Sequence, residues 1–91
     1  MSVNRTVLIA NKRGLHARAS AKFVTLASQQ PCEVQVERDG SGDAVTGTSI
    51  MGLMMLGAAM GDHITISAEG EHAAEAVEAM AGLVEAKFGE D

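Results

Sequence analysis

Residues 11–20 read Asn-Lys-Arg-Gly-Leu-His-Ala-Arg-Ala-Ser and lie between an apolar, β-branched run and a helical pattern. This position predicts a turn from a strand into a helix, with His16 in the first turn of that helix. The unpaired N–H groups and the dipole of a helix N-terminus favour an anion. Arg18 adds a planar guanidinium that suits phosphate, and a histidine ring nitrogen is a competent nucleophile. These features predict a phosphohistidine site.

Charge is divided unevenly along the chain. Residues 1–32 contain five cations and no acid, whereas residues 33–91 contain all twelve acids and two cations, which gives a formal net charge of −5. Four of the five early cations surround the histidine: Lys12, Arg13, Arg18 and Lys22. We expect this end of the protein to meet an anionic group or an acidic partner, with Lys22 among the contacts. A solvated basic face is the plainer interpretation.

Composition narrows the possible functions. The 91 residues predict one small domain, residues 1–91. Phe23 and Phe88 are the only aromatic residues, so the core must be largely aliphatic, and a base-stacking nucleic-acid surface is not expected. Cys32 stands alone, so neither a disulfide framework nor a metal-ligand spacing is present. We expect no cofactor and no metal.

The chain carries no recognisable targeting segment. Its apolar runs are too short for a signal peptide or for a membrane-spanning helix. We therefore expect a cytoplasmic protein that does not insert into membranes. A monomer is the default expectation, because no long exposed apolar strand demands a second copy.

Hydrophobic periodicity and turn signals predict the element order β-α-β-β-α-β-α. The predicted strands cover residues 5–9, 33–38, 44–46 and 63–68, and the predicted helices cover residues 17–29, 50–56 and 71–88. This order predicts an α+β fold, in which a four-stranded antiparallel sheet carries the helices on one face and leaves the other face open.

Two motifs, GLHAR at residues 14–18 and SIMGLMMLG at residues 49–57, resemble the histidine-containing phosphocarrier family, HPr, of the bacterial phosphotransferase system. The similarity extends over essentially the whole chain, because length and element order also fit. The resemblance implies an open-faced β-sandwich and a carrier role in sugar uptake, as a protein substrate rather than an independent enzyme. Enzyme I, charged by phosphoenolpyruvate, would phosphorylate His16 on Nδ1, and a histidine of an enzyme IIA-type acceptor would receive the phosphoryl group.

The resemblance also implies roles for residues around these motifs. Arg18 matches the arginine that steadies the phosphoryl oxygens. Ser49 matches the serine that an HPr kinase/phosphorylase modifies in some members, although a serine at a helix start can equally be a plain N-cap. The exposed apolar docking patch of the family matches these residues: Ile50, Met51 and Met54.

One departure and several alternatives remain open. Ala19 occupies a position where the family usually has proline, and this leaves the branch undecided between HPr and the nitrogen-pathway carriers, NPr, which serve regulation. A regulatory adaptor that is never phosphorylated would have the same fold. A small nucleic-acid-binding domain would use the basic first third. His63 and His72 have no partners at metal or triad spacing, so we expect neither to be functional.

Overall fold

The elements follow one another in the predicted order. A computed structural model of the protein describes residues 2–90, so Met1 and Asp91, the two ends of the predicted domain, lie outside the described residues. The elements are β1 (Ser2–Leu8), α1 (Ala17–Ala27), β2 (Val34–Arg38), β3 (Ala44–Thr46), α2 (Ile50–Met55), β4 (His63–Glu69) and α3 (Ala73–Glu85), followed by a 3-10 turn at Lys87–Gly89. The predicted α+β class is confirmed.

The four strands form one antiparallel sheet in the order β1-β4-β2-β3. Strand β4 is central, and its Ile66 lies opposite Arg5 of β1 and Val36 of β2. Side chains alternate between the two faces of a strand, so Ile66 and Val36 are buried, whereas Thr6 and Thr65 pair through their hydroxyls at 2.8 Å on the opposite face. The prediction of helices on one face and an open second face is confirmed.

The core lies between the sheet and the three helices and is mainly aliphatic. Both aromatic rings, Phe23 and Phe88, are fully buried in it. The other large fully buried side chains are aliphatic or methionine, apart from Asn11: Ile9, Leu53, Ile64, Ile66, Met80, Val34, Val36, Val77 and Val84. Among residues 2–90, none of the helices has the length and apolar character that crossing a bilayer requires.

The final helix differs from its prediction. It was expected over residues 71–88, but α3 ends at Glu85, and the chain turns sharply where Lys87 and Phe88 adopt φ of 58° and 56°. The turn keeps the Phe88 ring in the core, while the Phe88 carbonyl accepts a 2.7 Å hydrogen bond from Lys22 Nζ. A continuous helix would lead the chain elsewhere, whereas this turn brings residues 89–90 to the start of α1.

The remaining differences concern element ends. Strand β1 begins at Ser2 rather than Arg5, because pairing with β4 extends it to Glu69. Helix α1 ends at Ala27, before the predicted residue 29. The N–H groups of Gln29 and Gln30 donate to carbonyls three residues earlier, as in a 3-10 helix, and close its last turn.

The turn that leads into α1 is fastened to a second loop. The Leu15 N–H donates to the Ala58 carbonyl at 3.0 Å, and Gly14 lies against the same peptide with φ +62°. A Cβ atom at position 14 would stand 2.5 Å from that oxygen. Glycine is therefore required there by both conformation and space, and the contact sets the direction in which α1 begins.

Candidate functional site

His16 lies at the N-cap of α1, immediately before its first turn. Its backbone is extended (φ −73°, ψ 179°), and its carbonyl accepts the first helical hydrogen bond from the Ser20 N–H at 2.9 Å. The ring Nδ1 accepts from the Arg18 N–H at 3.3 Å, as a capping side chain does. The predicted placement of a histidine at the start of this helix agrees with the structure.

The other ring nitrogen of His16 faces a carboxylate. Nε2 lies 2.9 Å from Oε2 and 3.2 Å from Oε1 of Glu90, and each side chain is 16% exposed. Asn11 Nδ2 donates to the same carboxylate at 3.3 Å and to the Gly14 carbonyl at 2.9 Å. An ionised carboxylate only accepts hydrogen bonds, so Nε2 carries the hydrogen and Nδ1 keeps its lone pair. One neutral tautomer satisfies both ring contacts.

The surroundings favour the ionised form of Glu90. The hydrogen bond from the His16 ring is the main cause that lowers the pKa of this carboxyl below its ordinary value. Partial desolvation opposes the shift, while the Asn11 amide and the charge of Lys22 add to it. Sequence reasoning missed Glu90 as a site residue, because it lies 74 positions from His16 and no local pattern connects the two.

The cations predicted to surround the histidine do converge. They line an open depression of about 480 Å³ together with the residues that follow Phe88: Lys12, Arg13, Arg18, Lys22, Gly89 and Glu90. Arg18 is exposed at its edge. Lys22 is exposed as well, but its ammonium group is hydrogen-bonded to the Phe88 carbonyl. The structure therefore gives Lys22 an intramolecular contact that the sequence did not suggest.

The second motif forms α2, and its first residue caps the helix. Ser49 is half-buried, and its Oγ accepts from the Gly52 N–H at 3.0 Å. Leu53 is fully buried. The predicted docking residues are exposed, by 39% for Ile50, 66% for Met51 and 43% for Met54. Two methionines outside that set are also exposed: Met55 at 80% and Met60 at 58%.

The two other histidines lie outside the depression. His63 begins β4 and is exposed, opposite Leu8. His72 occupies the N-cap position of α3 with φ +66° but makes no side-chain capping hydrogen bond, and its Nδ1 lies 3.3 Å from the Glu75 carboxylate. Within residues 2–90, no three side chains of the histidine, cysteine and acidic types are grouped so as to hold a metal ion.

Fold and site together define an open-faced β-sandwich protein with a histidine at a helix N-terminus, whose ring contacts an acidic residue that lines a basic depression. The family model described as the PTS HPr component phosphorylation site matches residues 3–86. The phosphocarrier protein HPr of Neisseria meningitidis serogroup A is 48% identical over 88 residues, which is 97% of each chain. The chain therefore belongs to the HPr family of phosphocarrier proteins, and the resemblance seen in its motifs is confirmed.

Both branches of the family and its solved structures are represented among the relatives. The phosphocarrier protein NPr of Shewanella violacea is 42% identical over 88 residues, covering 97% of this chain and 94% of that protein. A crystal structure of HPr from Thermoanaerobacter tengcongensis superposes with a TM-score of 0.89 at 44% identity, covering 98% of both chains. Another crystal structure, an HPr dimer from that organism, has a TM-score of 0.72 at 45% identity and covers 92% and 94% of the two chains.

Proposed function

We propose that this protein accepts a phosphoryl group on Nδ1 of His16 from phosphorylated enzyme I and passes it to a histidine of an enzyme IIA-type acceptor. The observation that carries the proposal is the ring of His16, whose Nδ1 holds a lone pair at the N-terminus of α1 while Nε2 is occupied by Glu90. Membership of the phosphocarrier family supports the same reaction.

The geometry suits this chemistry. The N–H groups of residues 17–19 precede the first helical hydrogen bond, so they have no acceptor within the helix and lie at its N-terminus, where the Arg18 N–H contacts Nδ1. When a phosphoryl group occupies that space, its oxygens replace Nδ1 as acceptor for the Arg18 N–H. The Arg18 guanidinium at the edge of the depression supplies further charge.

A carrier must also release its phosphoryl group. A helix dipole at a surface contributes typically about 0.3–1 kcal/mol to binding an anion, and the depression is open to solvent. Phosphoryl transfer depends mainly on positioning and charge stabilisation, which these residues supply without a nucleotide or a metal. The site therefore favours transfer between partners rather than tight retention.

The test is phosphorylation by purified enzyme I and radiolabelled phosphoenolpyruvate. We expect acid-labile, base-stable label on the wild type and none on His16→Ala. His63→Ala is the matched control, because it removes an exposed histidine outside the depression. Equal label on His16→Ala, or no label on the wild type beside an active enzyme I, would contradict the proposal. A His16→Ala variant with full biological activity would favour the unphosphorylated adaptor instead.

A second candidate concerns the branch of the family. Relatives named NPr match this chain at 42% and 38% identity, which supports a nitrogen-pathway carrier with the same chemistry at His16. Labelled protein incubated with a sugar-type IIA and with a nitrogen-type IIA distinguishes the two. Faster transfer to the sugar-type acceptor supports HPr, and faster transfer to the nitrogen-type acceptor supports NPr.

Regulation at Ser49 is part of the proposal. Its hydroxyl lies beside the exposed side chains of Ile50, Met51 and Met54, which we propose as the docking patch for enzyme I and the IIA acceptors. A phosphoryl group on Ser49 from an HPr kinase/phosphorylase would place charge against this apolar surface. Partner docking would weaken through desolvation and repulsion, with the fold retained.

We further propose a cytoplasmic monomer. The proposal of a monomer is tested by light scattering on the purified protein across a range of concentrations. A mass near that of one chain supports it, whereas a stable dimer, as in the T. tengcongensis HPr dimer, would contradict it.

A further inference from the structure

We infer that Glu90 is a positioning residue of this site. Its carboxylate holds the Nε2–H of His16, fixes Nδ1 as the nucleophile, and stabilises the cationic ring that carries the phosphoryl group. The inference rests on the proposed function and adds to it a residue outside both sequence motifs.

Several contacts hold the Glu90 carboxylate beside Nε2 of the His16 ring. Phe88 is 1% exposed, and its backbone carbonyl accepts a hydrogen bond from Lys22 Nζ at 2.7 Å. The chain just before Glu90 is therefore held both by a buried side chain and by a backbone hydrogen bond. Residues other than glycine rarely adopt positive φ, yet Lys87 and Phe88 both do. Asn11, fully buried, then donates to the Glu90 carboxylate. Together these contacts hold the Glu90 side chain in one position.

The charge balance of the depression calls for an acid. Four cations line it, namely Lys12, Arg13, Arg18 and Lys22, and Glu90 is the acidic residue among the described residues that line it. Cations alone would favour the phosphoryl oxygens but would disfavour positive charge on the ring. A carboxylate on Nε2, on the side of the ring away from Nδ1, offsets that repulsion without occupying the space for the phosphoryl group.

The hydrogen that stays on Nε2 during phosphoryl transfer gives the carboxylate its role. The Nδ1 lone pair attacks phosphorus, the bond between phosphorus and the donor's histidine nitrogen breaks, and that nitrogen takes the electron pair. His16 keeps its Nε2 hydrogen, so its ring becomes an N-phosphoimidazolium. An accepting carboxylate stabilises this cation, as the aspartate of a catalytic triad stabilises its imidazolium. Onward transfer reverses these steps and releases a neutral ring, a good leaving group.

Two substitutions separate the two effects of the carboxylate. Glu90→Gln keeps an acceptor for Nε2–H but removes the charge, whereas Glu90→Ala removes both. Glu71→Gln removes one negative charge from an exposed position outside the depression and is the matched control. Circular dichroism and thermal unfolding establish that each variant is folded before its rate is compared.

The first readout is the rate of phosphorylation by enzyme I. We expect kcat/KM to fall about threefold for Glu90→Gln and on the order of tenfold for Glu90→Ala, with Glu71→Gln at the wild-type value. A Glu90→Ala variant as fast as Glu71→Gln would overturn the inference. A faster Glu90→Ala variant would overturn it as well, since the carboxylate would then be an obstruction.

The second readout is ¹⁵N NMR of the unphosphorylated His16 ring, at a pH where the ring is neutral. We expect a protonated Nε2 and an unprotonated Nδ1 in the wild type and in Glu90→Gln, and a smaller fraction of this tautomer in Glu90→Ala, where only the Arg18 N–H still favours it. A wild-type ring protonated on Nδ1 would overturn the inference. This spectrum does not depend on enzyme I. Failure of the wild type to accept a phosphoryl group would therefore contradict the proposed function, whereas the spectrum would still test the role of Glu90.

Discussion

The N-termini of α1 and α2 are built alike and surrounded differently. Each helix begins with a residue whose side chain accepts a backbone N–H: His16 Nδ1 from Arg18, and Ser49 Oγ from Gly52. The His16 ring contacts the Glu90 carboxylate, which lines a depression together with four cations. Around Ser49 lie exposed apolar side chains.

A side chain that caps a helix does not by itself make a reactive site. The Ser49 side chain makes one local hydrogen bond, and its neighbours suit contact with another protein. His16 has a second ring nitrogen, and that nitrogen is held by a residue from the far end of the described chain. The tertiary contact with Glu90, rather than the position at a helix start, makes the His16 region chemically different from the Ser49 region.

Removal of each capping side chain in turn should give the largest difference between the two helix starts. His16→Ala should abolish phosphorylation by enzyme I, since no other group offers a lone pair at that place. Ser49→Ala should leave the reaction within about twofold, because a surface cap contributes roughly 1 kcal/mol to stability and nothing to the nucleophile. Both rates are measured with the radiolabel assay. Comparable losses in the two variants would show that α2 takes part in the chemistry.

A second test concerns the turn that positions α1. Gly14→Ala should lower the free energy of unfolding by about 2–4 kcal/mol, because the φ of +62° is strained for alanine and the Cβ atom would clash with the Ala58 carbonyl. Gly57→Ala is the matched control: its φ is +66°, but a Cβ there meets nothing within 4 Å. It should cost about 1 kcal/mol. Urea unfolding measures both, and equal costs would contradict the close approach at Gly14.

A third test replaces the cap of α2 by a charged cap. Ser49→Asp should keep the stability of the wild type, because aspartate caps as well as serine, whereas Ser49→Ala should lose about 1 kcal/mol. The added charge beside Ile50, Met51 and Met54 should slow phosphorylation of His16 by enzyme I. The rate for Ser49→Asp is compared with that for Ser49→Ala. An unchanged rate would refute the regulatory role proposed for this residue.

The smallest expected effect is the dependence of stability on pH at Glu90. Its pKa is lowered in the folded protein, so the folded state binds this proton less readily than the unfolded chain does. The contact therefore stabilises the fold above the ordinary carboxyl pKa of about 4.3, and this stability is lost as pH falls through the lowered pKa.

Thermal unfolding measures this effect. The Tm of the wild type should exceed that of Glu90→Gln at pH 7, and the difference should shrink as the pH falls through the lowered pKa of Glu90. Glu71→Gln controls for the loss of one negative charge. A Tm difference that persists unchanged in acid would contradict an ionised Glu90 contact.

Local patterns were enough to predict several features. The alternation in β2 and β4 fixed which side chains are buried, and the strand-to-helix stretch placed His16 at the start of α1. The spacing within α2 separated the buried Leu53 from exposed methionines. These features depend on the period of a helix or strand, which a sequence displays directly.

Other features could not be predicted from local patterns. The apolar spacing of α3 continues to Phe88, so nothing local signals the turn at Lys87 and Phe88. Lys22 looked like a free cation, yet its ammonium group binds the Phe88 carbonyl. Both outcomes follow from packing, because burying the Phe88 ring outweighs the unfavourable backbone conformation that it requires.

Short-range periodicity, turn residues and charge spacing are enough to predict the element order, the buried faces and the identity of the histidine. The acceptor for the Nε2 hydrogen of that histidine comes from the tertiary fold. Asn11, His16 and Glu90 meet because the sheet and the turn after α3 bring distant parts of the chain together. The Arg18 N–H favours a lone pair on Nδ1 locally, and the contact with Glu90 adds an acceptor for the hydrogen on Nε2.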